Sequence, residues 1–467
     1  MSKYLVFIVH VLLPSFFLLF YSSIASFSVF VLSLYILLIK PCFSFYKIGS
    51  VVYWFLVALF VGVPVFQIST NSIAYVDLPD FNSYSYLLWC VYVVLFLSVF
   101  SVLAFLFRPK YFQSVVPRDN QTVSFNAQSV RRICCVFSGL SLCFFLYFLY
   151  SFGGIGGLTD SYNQRLATSV TDYNPLAGAG VLQAFANLFP VFLGVYLVAS
   201  TKSGQGGNRL IFILMITAIL SFVVSGIFGS RQGVVFASFG VLWFWHFLIK
   251  PFSQKELGTL LLVGGMFMVV AMPLKFFGFD FELDLISEFN EARSMDVALG
   301  PLGFLIIRDF GRFDVNVLVI NEYLANGFDL GYGQTILQGV LMAIPGGFFD
   351  GLFTTPTELK STIFLGNYLH YGLDTTLLLG LPGEFFINFG FFGAIFFGLL
   401  FYFTFKMAER CIGGRSLKSS HVFLFVYLMP IVFLIFIFDS NVISYYLVRW
   451  VALFSVPVWY LCRKSEI

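Results

Sequence analysis

Roughly a dozen apolar runs fill most of this chain, separated by short polar breaks. Each is about as long as the ~20 residues that an α-helix needs to cross a hydrocarbon layer ~30 Å thick. Such runs are confined to helices, because a bilayer offers no water to unpaired backbone groups. They lie near residues 4–21, 24–39, 50–68, 86–107, 133–152, 178–200, 210–228, 234–249, 258–277, 386–405, 422–438 and 442–462. Composition agrees: a soluble surface calls for roughly 25% charged residues, whereas these 467 residues are 10% charged, 59% apolar and 20% aromatic. The expected fold is an all-α polytopic membrane protein of about twelve transmembrane helices with one large extracytoplasmic loop carrying short amphipathic helices. Residues 1–278 hold the first nine spans, 279–385 the loop and 386–467 the last three.

Lys and Arg set the orientation, since basic loops stay in the cytoplasm. With both termini cytoplasmic, only Arg165, Arg231, Lys275, Arg293, Arg308, Arg312 and Lys360 of the 26 basic residues fall outside, and Arg449 falls inside the last span. The acids do the reverse, leaving only Asp119, Glu256, Glu409 and Glu466 within. The net charge of +3 therefore hides two opposed faces. No basic run interleaved with aromatics points to nucleic acid. None of the seven Cys falls in an expected outer loop, so neither a disulfide framework nor a Cys-based metal site is implied there. Lys3 ahead of an apolar run imitates a signal peptide. The run outlasts an h-region of about 7–15 residues and another follows at once, so a retained helix is expected.

The 279–385 segment is too long for a simple connector and gathers the chemistry-bearing residues. It contains Arg293, Arg308, Arg312, Asp309, Asp314, Glu322, His370 and Glu384. Were 302–316 helical, Arg308 and Arg312 would share one face at i,i+4 and repel unless an anion stood beside them; Asp309 is the alternative, internal partner. Arg231 sits in the tight turn Gly229-Ser230-Arg231-Gln232-Gly233, placed either for lipid phosphate or as a snorkelling helix end. Arg165 follows the glycine-rich stretch Gly153-Gly154-Ile155-Gly156-Gly157, which lacks the spacing of a nucleotide P-loop. Residues 331–347 are apolar but too short to span, which suits a helix lying on or dipping into the outer membrane face.

Three stretches carry a resemblance: Gly229-Ser230-Arg231; Gly331-Tyr332-Gly333-Gln334 leading to Ala343-Ile344-Pro345; and Pro382-Gly383-Glu384-Phe385-Phe386-Ile387-Asn388-Phe389-Gly390 with Gly393. With the pattern of about a dozen helices and one dominant outer loop, the chain resembles the Wzy-type O-antigen polymerases. The resemblance implies a glycosyltransferase in the bacterial inner membrane. It would move a growing glycan from undecaprenyl pyrophosphate onto the sugar of another lipid-linked repeat unit at the outer face. The implied partners are that lipid-linked oligosaccharide and membrane lipids, with a chain-length regulator protein as a further candidate. No metal, cofactor or nucleotide sugar is implied.

Within that chemistry, Arg231, Arg308, Arg312 and Arg165 are the candidates for binding the pyrophosphate, and Arg312 also for stabilising charge on the leaving group. Glu384 and His370 are the candidate general bases. Structural alternatives stand beside them: Glu384 as a helix-start acid facing the dipole, and His370 as an incidental loop residue. An O-antigen ligase or a lipid-linked oligosaccharide flippase are the competing expectations.

Overall fold

The computed structural model describes residues 83–107, 127–154, 180–201, 207–226, 231–249, 252, 313–325, 327–341, 359, 379–413, 427 and 434–464. Among these, all regular secondary structure is helical. Five helices are long and apolar enough to cross a bilayer: Gln128–Ser151, Val181–Ala199, Gly207–Val224, Gly380–Met407 and Ser440–Leu461. The chain is a helical membrane protein. The runs expected at 4–21, 24–39, 50–68 and 258–277, and most of 422–438, lie outside the described residues.

In chain order the helices are α1 (Ser83–Leu106), α2 (Ala127–Ser151), α3 (Gly180–Ala186), α4 (Phe189–Ala199), α5 (Gly207–Gly226) and α6 (Arg231–Leu248). Then come α7 (Phe313–Ala325), α8 (Gln334–Leu341), α9 (Gly380–Phe389), α10 (Gly393–Gly413), α11 (Ser440–Tyr446) and α12 (Val456–Lys464). A 3₁₀ turn at Gly390–Phe392 joins α9 to α10, and a π-helical stretch at Leu447–Ser455 joins α11 to α12.

The described helices include two packed groups. In the first, α1 lies along α10. Its buried residues Trp89, Tyr92, Val93, Phe96, Leu97 and Phe100 recur at helical spacing, while Val91, Leu95, Val102 and Leu106 face outward. Both faces are apolar, as a helix between protein and lipid requires. The seam is an aromatic ladder, with Phe96 edge-on to Phe397 at 5.0 Å and Phe100 stacked on Phe401 at 4.5 Å. Lipid solvates apolar side chains as well as protein does, so close packing holds this seam rather than water exclusion. Gly398 permits the approach: a Cβ there would meet the Phe96 carbonyl oxygen at 2.7 Å.

In the second group, α4 packs against α2, α5 and α6. The single run expected at 178–200 is divided by a turn at Asn187-Leu188. Pro190 falls in the first turn of α4, where its missing N–H is no loss. Beside the first group, α7 is buried from Val315 to Ile320 and packs on α1 and α9. Thirteen residues make about 20 Å of helix, short of a hydrocarbon layer ~30 Å thick.

Candidate functional site

The described chemistry collects around α9. This helix begins at Gly380, ahead of the start expected at residue 386, so Glu384 lies within a helix rather than at a loop edge. Pro382 fits the first turn, which is what lets the helix start early. Every residue from Gly380 to Asn388 is buried. A buried helix must find partners for the orphan amides and carbonyls at its ends, and here distant segments supply them.

At the N-terminus, Leu379 N and Gly380 N each donate to Asp439 Oδ1 at 2.9 Å, and Leu381 N donates to the Ile435 carbonyl at 3.1 Å. A carboxyl group there also suits the positive end of the helix dipole. Gly380 has φ +72, and a Cβ on it would strike the Phe436 carbonyl, so this junction needs glycine. At the C-terminus, Gly331 N donates to the Ile387 carbonyl at 3.1 Å and Tyr332 N to the Asn388 carbonyl at 2.9 Å. The short strap 331–333 thus closes the end of a helix some fifty residues downstream in sequence, as the 55-residue separation of Gly333 and Asn388 records.

Midway along α9, Glu384 is fully buried and its carboxyl group is held by three donors. Thr335 Oγ1 on α8 donates to Oε1 at 2.8 Å and Ser440 N, opening α11, to Oε2 at 2.6 Å. Ser440 Oγ reaches Oε1 at 2.7 Å, with the Thr335 carbonyl at 3.2 Å as the other acceptor for its one hydrogen. One turn on, Asn388 completes the network. Its Nδ2 donates to Thr335 Oγ1 and to the Glu384 carbonyl, both at 2.7 Å, while its Oδ1 accepts from Gly333 N at 2.9 Å. An unbroken chain runs from Gly333 N–H through the Asn388 amide and the Thr335 hydroxyl to Glu384.

The flanking contacts are as close. Asn316 Nδ2 on α7 donates to the Leu379 carbonyl at 3.1 Å, and the Tyr92 hydroxyl on α1 donates to the Pro382 carbonyl at 2.9 Å. A Cβ at Gly339 would collide with Ser440 Oγ, so the approach of α8 to α11 depends on that glycine. Helix α8 has its polar face inward, with Thr335, Gln338 and Gly339 buried and Leu337 and Val340 exposed. That inversion suits a helix with apolar surroundings outside and a polar network within.

Chemically, this is a site of fixed hydrogen-bond donors in a dry setting. Glu384 has both oxygens occupied and no exposed surface, an arrangement that holds α8, α9 and α11 in register. Among the described residues, no three or more His, Cys, Asp or Glu side chains are placed to hold a metal ion. Arg231 is the first residue of α6; its side chain is outside the described residues, as are Arg165, Arg308, Arg312 and His370. Sequence reading singled out Glu384 and the 331–334 and 382–390 stretches but missed Thr335, Asp439 and Ser440. The signal for the last two was present: Asp439-Ser440-Asn441 is a polar triplet between two apolar runs. Comparison with family models, with curated proteins and with solved structures gives no match.

Proposed function

We propose that this chain is a glycosyltransferase of the bacterial inner membrane that polymerises lipid-linked oligosaccharide repeat units at the outer face. In this reading about twelve spans place both termini in the cytoplasm, and residues 279–385 form the extracytoplasmic roof. The supporting observation is the convergence of 331–334, with the adjoining Thr335, on 382–390. These stretches, two of the three that carry the resemblance to Wzy-type polymerases, share one buried network through Asn388, Thr335 and Glu384.

In the proposed reaction a sugar hydroxyl of one lipid-linked unit attacks the anomeric carbon of another. The new C–O bond forms as the bond to pyrophosphate breaks, the electron pair leaves with undecaprenyl pyrophosphate, and the hydroxyl proton passes to a base. Arg231, Arg308, Arg312 and Arg165 are assigned to the pyrophosphate, where fixed guanidinium forks hold two oxygens at once. His370 is assigned as the base. The engaged carboxyl of Glu384 supports a positioning part for it, keeping α8 and the strap 331–333 seated beneath the reacting sugars.

The test is purified protein in proteoliposomes supplied with undecaprenyl-pyrophosphate-linked repeat units, with products sized on a gel. A ladder of lengthened glycans with equimolar release of undecaprenyl pyrophosphate supports the reading. Transfer of single units to lipid A core instead identifies a ligase, and movement of intact units across the bilayer a carrier. His370→Ala should lower turnover about 10²-fold or more at normal abundance. Glu384→Gln should lower activity and folded protein together.

A further inference from the structure

Arg449 is a buried cation that this reaction does not use. It lies in the π-helical stretch Leu447–Ser455, roughly 10–13 Å along the helix from Ser440. It is 3% exposed. Its Nη2 donates to the Asn187 carbonyl at 3.2 Å, in the turn between α3 and α4, and its guanidinium lies over the Trp450 ring at 4.8 Å. That indole is in turn packed against Tyr427 at 4.7 Å and Phe236 at 5.2 Å. Among the described residues, neither Arg449 Nε nor Asn187 Oδ1 has a hydrogen-bond partner.

A guanidinium stays charged in proteins, and a charge inside a membrane bundle marks a ligand or ion path unless the chain pairs it. This chain offers it no such partner in the spans. None of the dozen apolar runs contains an Asp or Glu. Of the acids bordering them, Glu384 is bound by Thr335 and Ser440, and Asp439 holds the amides of Leu379 and Gly380. Among the described residues, one carbonyl and one indole are the contacts of this cation, and no acid is paired with it. The π-helical stretch at the same place adds a second sign, since such interruptions recur at functional sites.

We infer that Arg449, with Asn187, forms an intramembrane site for the phosphate or pyrophosphate head of a lipid. Chemistry selects that class. The anion must neutralise a guanidinium that can donate through Nε as well as Nη2, which a phosphate oxygen pair does. The surroundings are aromatic, which favours a ligand with an apolar tail over a free ion that must first leave water. This inference is independent of the transferase reading, because a carrier or a ligase also handles such a lipid.

The experiment uses the full chain in nanodiscs with a photoreactive prenyl pyrophosphate, the crosslinked residues being mapped by mass spectrometry. Labelling should fall within Leu447–Ser455 and drop about 10-fold or more in Arg449→Met, the loss expected for one charge-assisted contact. In the unaltered chain the matching uncharged prenol should label the same stretch at least about 10-fold less. Labelling elsewhere only, equal labelling by the prenol, or undiminished labelling of Arg449→Met would each overturn the assignment. The prenol comparison decides the matter even if Arg449→Met does not accumulate. Competition separates the sources: displacement by inorganic pyrophosphate means the head group suffices, displacement by phosphatidylglycerol means a membrane phospholipid is the occupant, and resistance to both means the prenyl chain is recognised too.

Discussion

Glu384 Oε1 accepts from two hydroxyls, Thr335 Oγ1 at 2.8 Å and Ser440 Oγ at 2.7 Å, so the two donors should back each other up. Thr335→Val removes one with little change of shape, and Ser440→Ala removes the other. Hydrogen bonds between helices in a membrane protein contribute about 0.6 kcal/mol on average and up to about 1.7. Thr335→Val should lie near the upper figure, because it also strands the Asn388 Nδ2 hydrogen that points at Thr335. Ser440→Ala should lie near the lower one, since Ser440 N still serves Oε2. The double variant leaves a buried oxygen bare, at about 1–3 kcal/mol, so the combined loss should exceed the sum of the singles by roughly 1–2 kcal/mol. Thr335→Ser keeps the hydroxyl, and its combination with Ser440→Ala should be additive. The assay is unfolding of the purified protein in mixed micelles, titrated with dodecyl sulfate and followed by circular dichroism. Additivity of Thr335→Val with Ser440→Ala to within about 0.5 kcal/mol would refute the shared-acceptor argument, as would the same excess in the Thr335→Ser pair.

Three further outcomes follow from the same network and from the charge pattern. Gly339→Ala, which drives a methyl into Ser440, should cost about 1–3 kcal/mol; Gly139→Ala on α2, where a Cβ meets nothing within 4 Å, should be neutral or stabilising in a thermal melt. Asp439→Ala strands the Leu379 and Gly380 amides and should lose about 2–4 kcal/mol, while Asp439→Asn, which keeps the accepting oxygen, should lose less than half as much in the same assay. Single cysteines at Ser161, Ser230 and Thr355 should react with an impermeant reagent in spheroplasts and one at Ser203 should not; labelling of Ser203 from outside would break the proposed orientation.

The membrane-spanning character of the chain was plain from its runs of apolar residues, because a span reports on itself: length and hydropathy are local properties. Glu384 stood out for a related reason, being a lone acid beside such a run. Its partners did not, because periodicity says which face of a helix is apolar and nothing about which distant residue meets it. Thr335 is 49 positions from Glu384 and Ser440 is 56, so no spacing rule links them. The start of α9 was misjudged at 386 for a physical reason. Gly380, Pro382 and Gly383 read as loop formers, yet Gly380 provides the left-handed entry that its contact with Phe436 demands, and Pro382 occupies a first-turn position that tolerates it.

The way Ser440 closes the Glu384 network also dictates an order of events during biosynthesis. Thr335 and Ser440 are 105 residues apart, and at about 5–20 residues per second of synthesis the second leaves the ribosome several seconds or more after the first. Until then the Glu384 carboxyl lacks the two Ser440 donors, and α9, once made, lacks the Asp439 carboxyl that receives its first amides. The nascent chain therefore carries an unsealed polar seam until α11 arrives. A chain truncated before residue 439 would present that seam permanently, as a mark for membrane quality control.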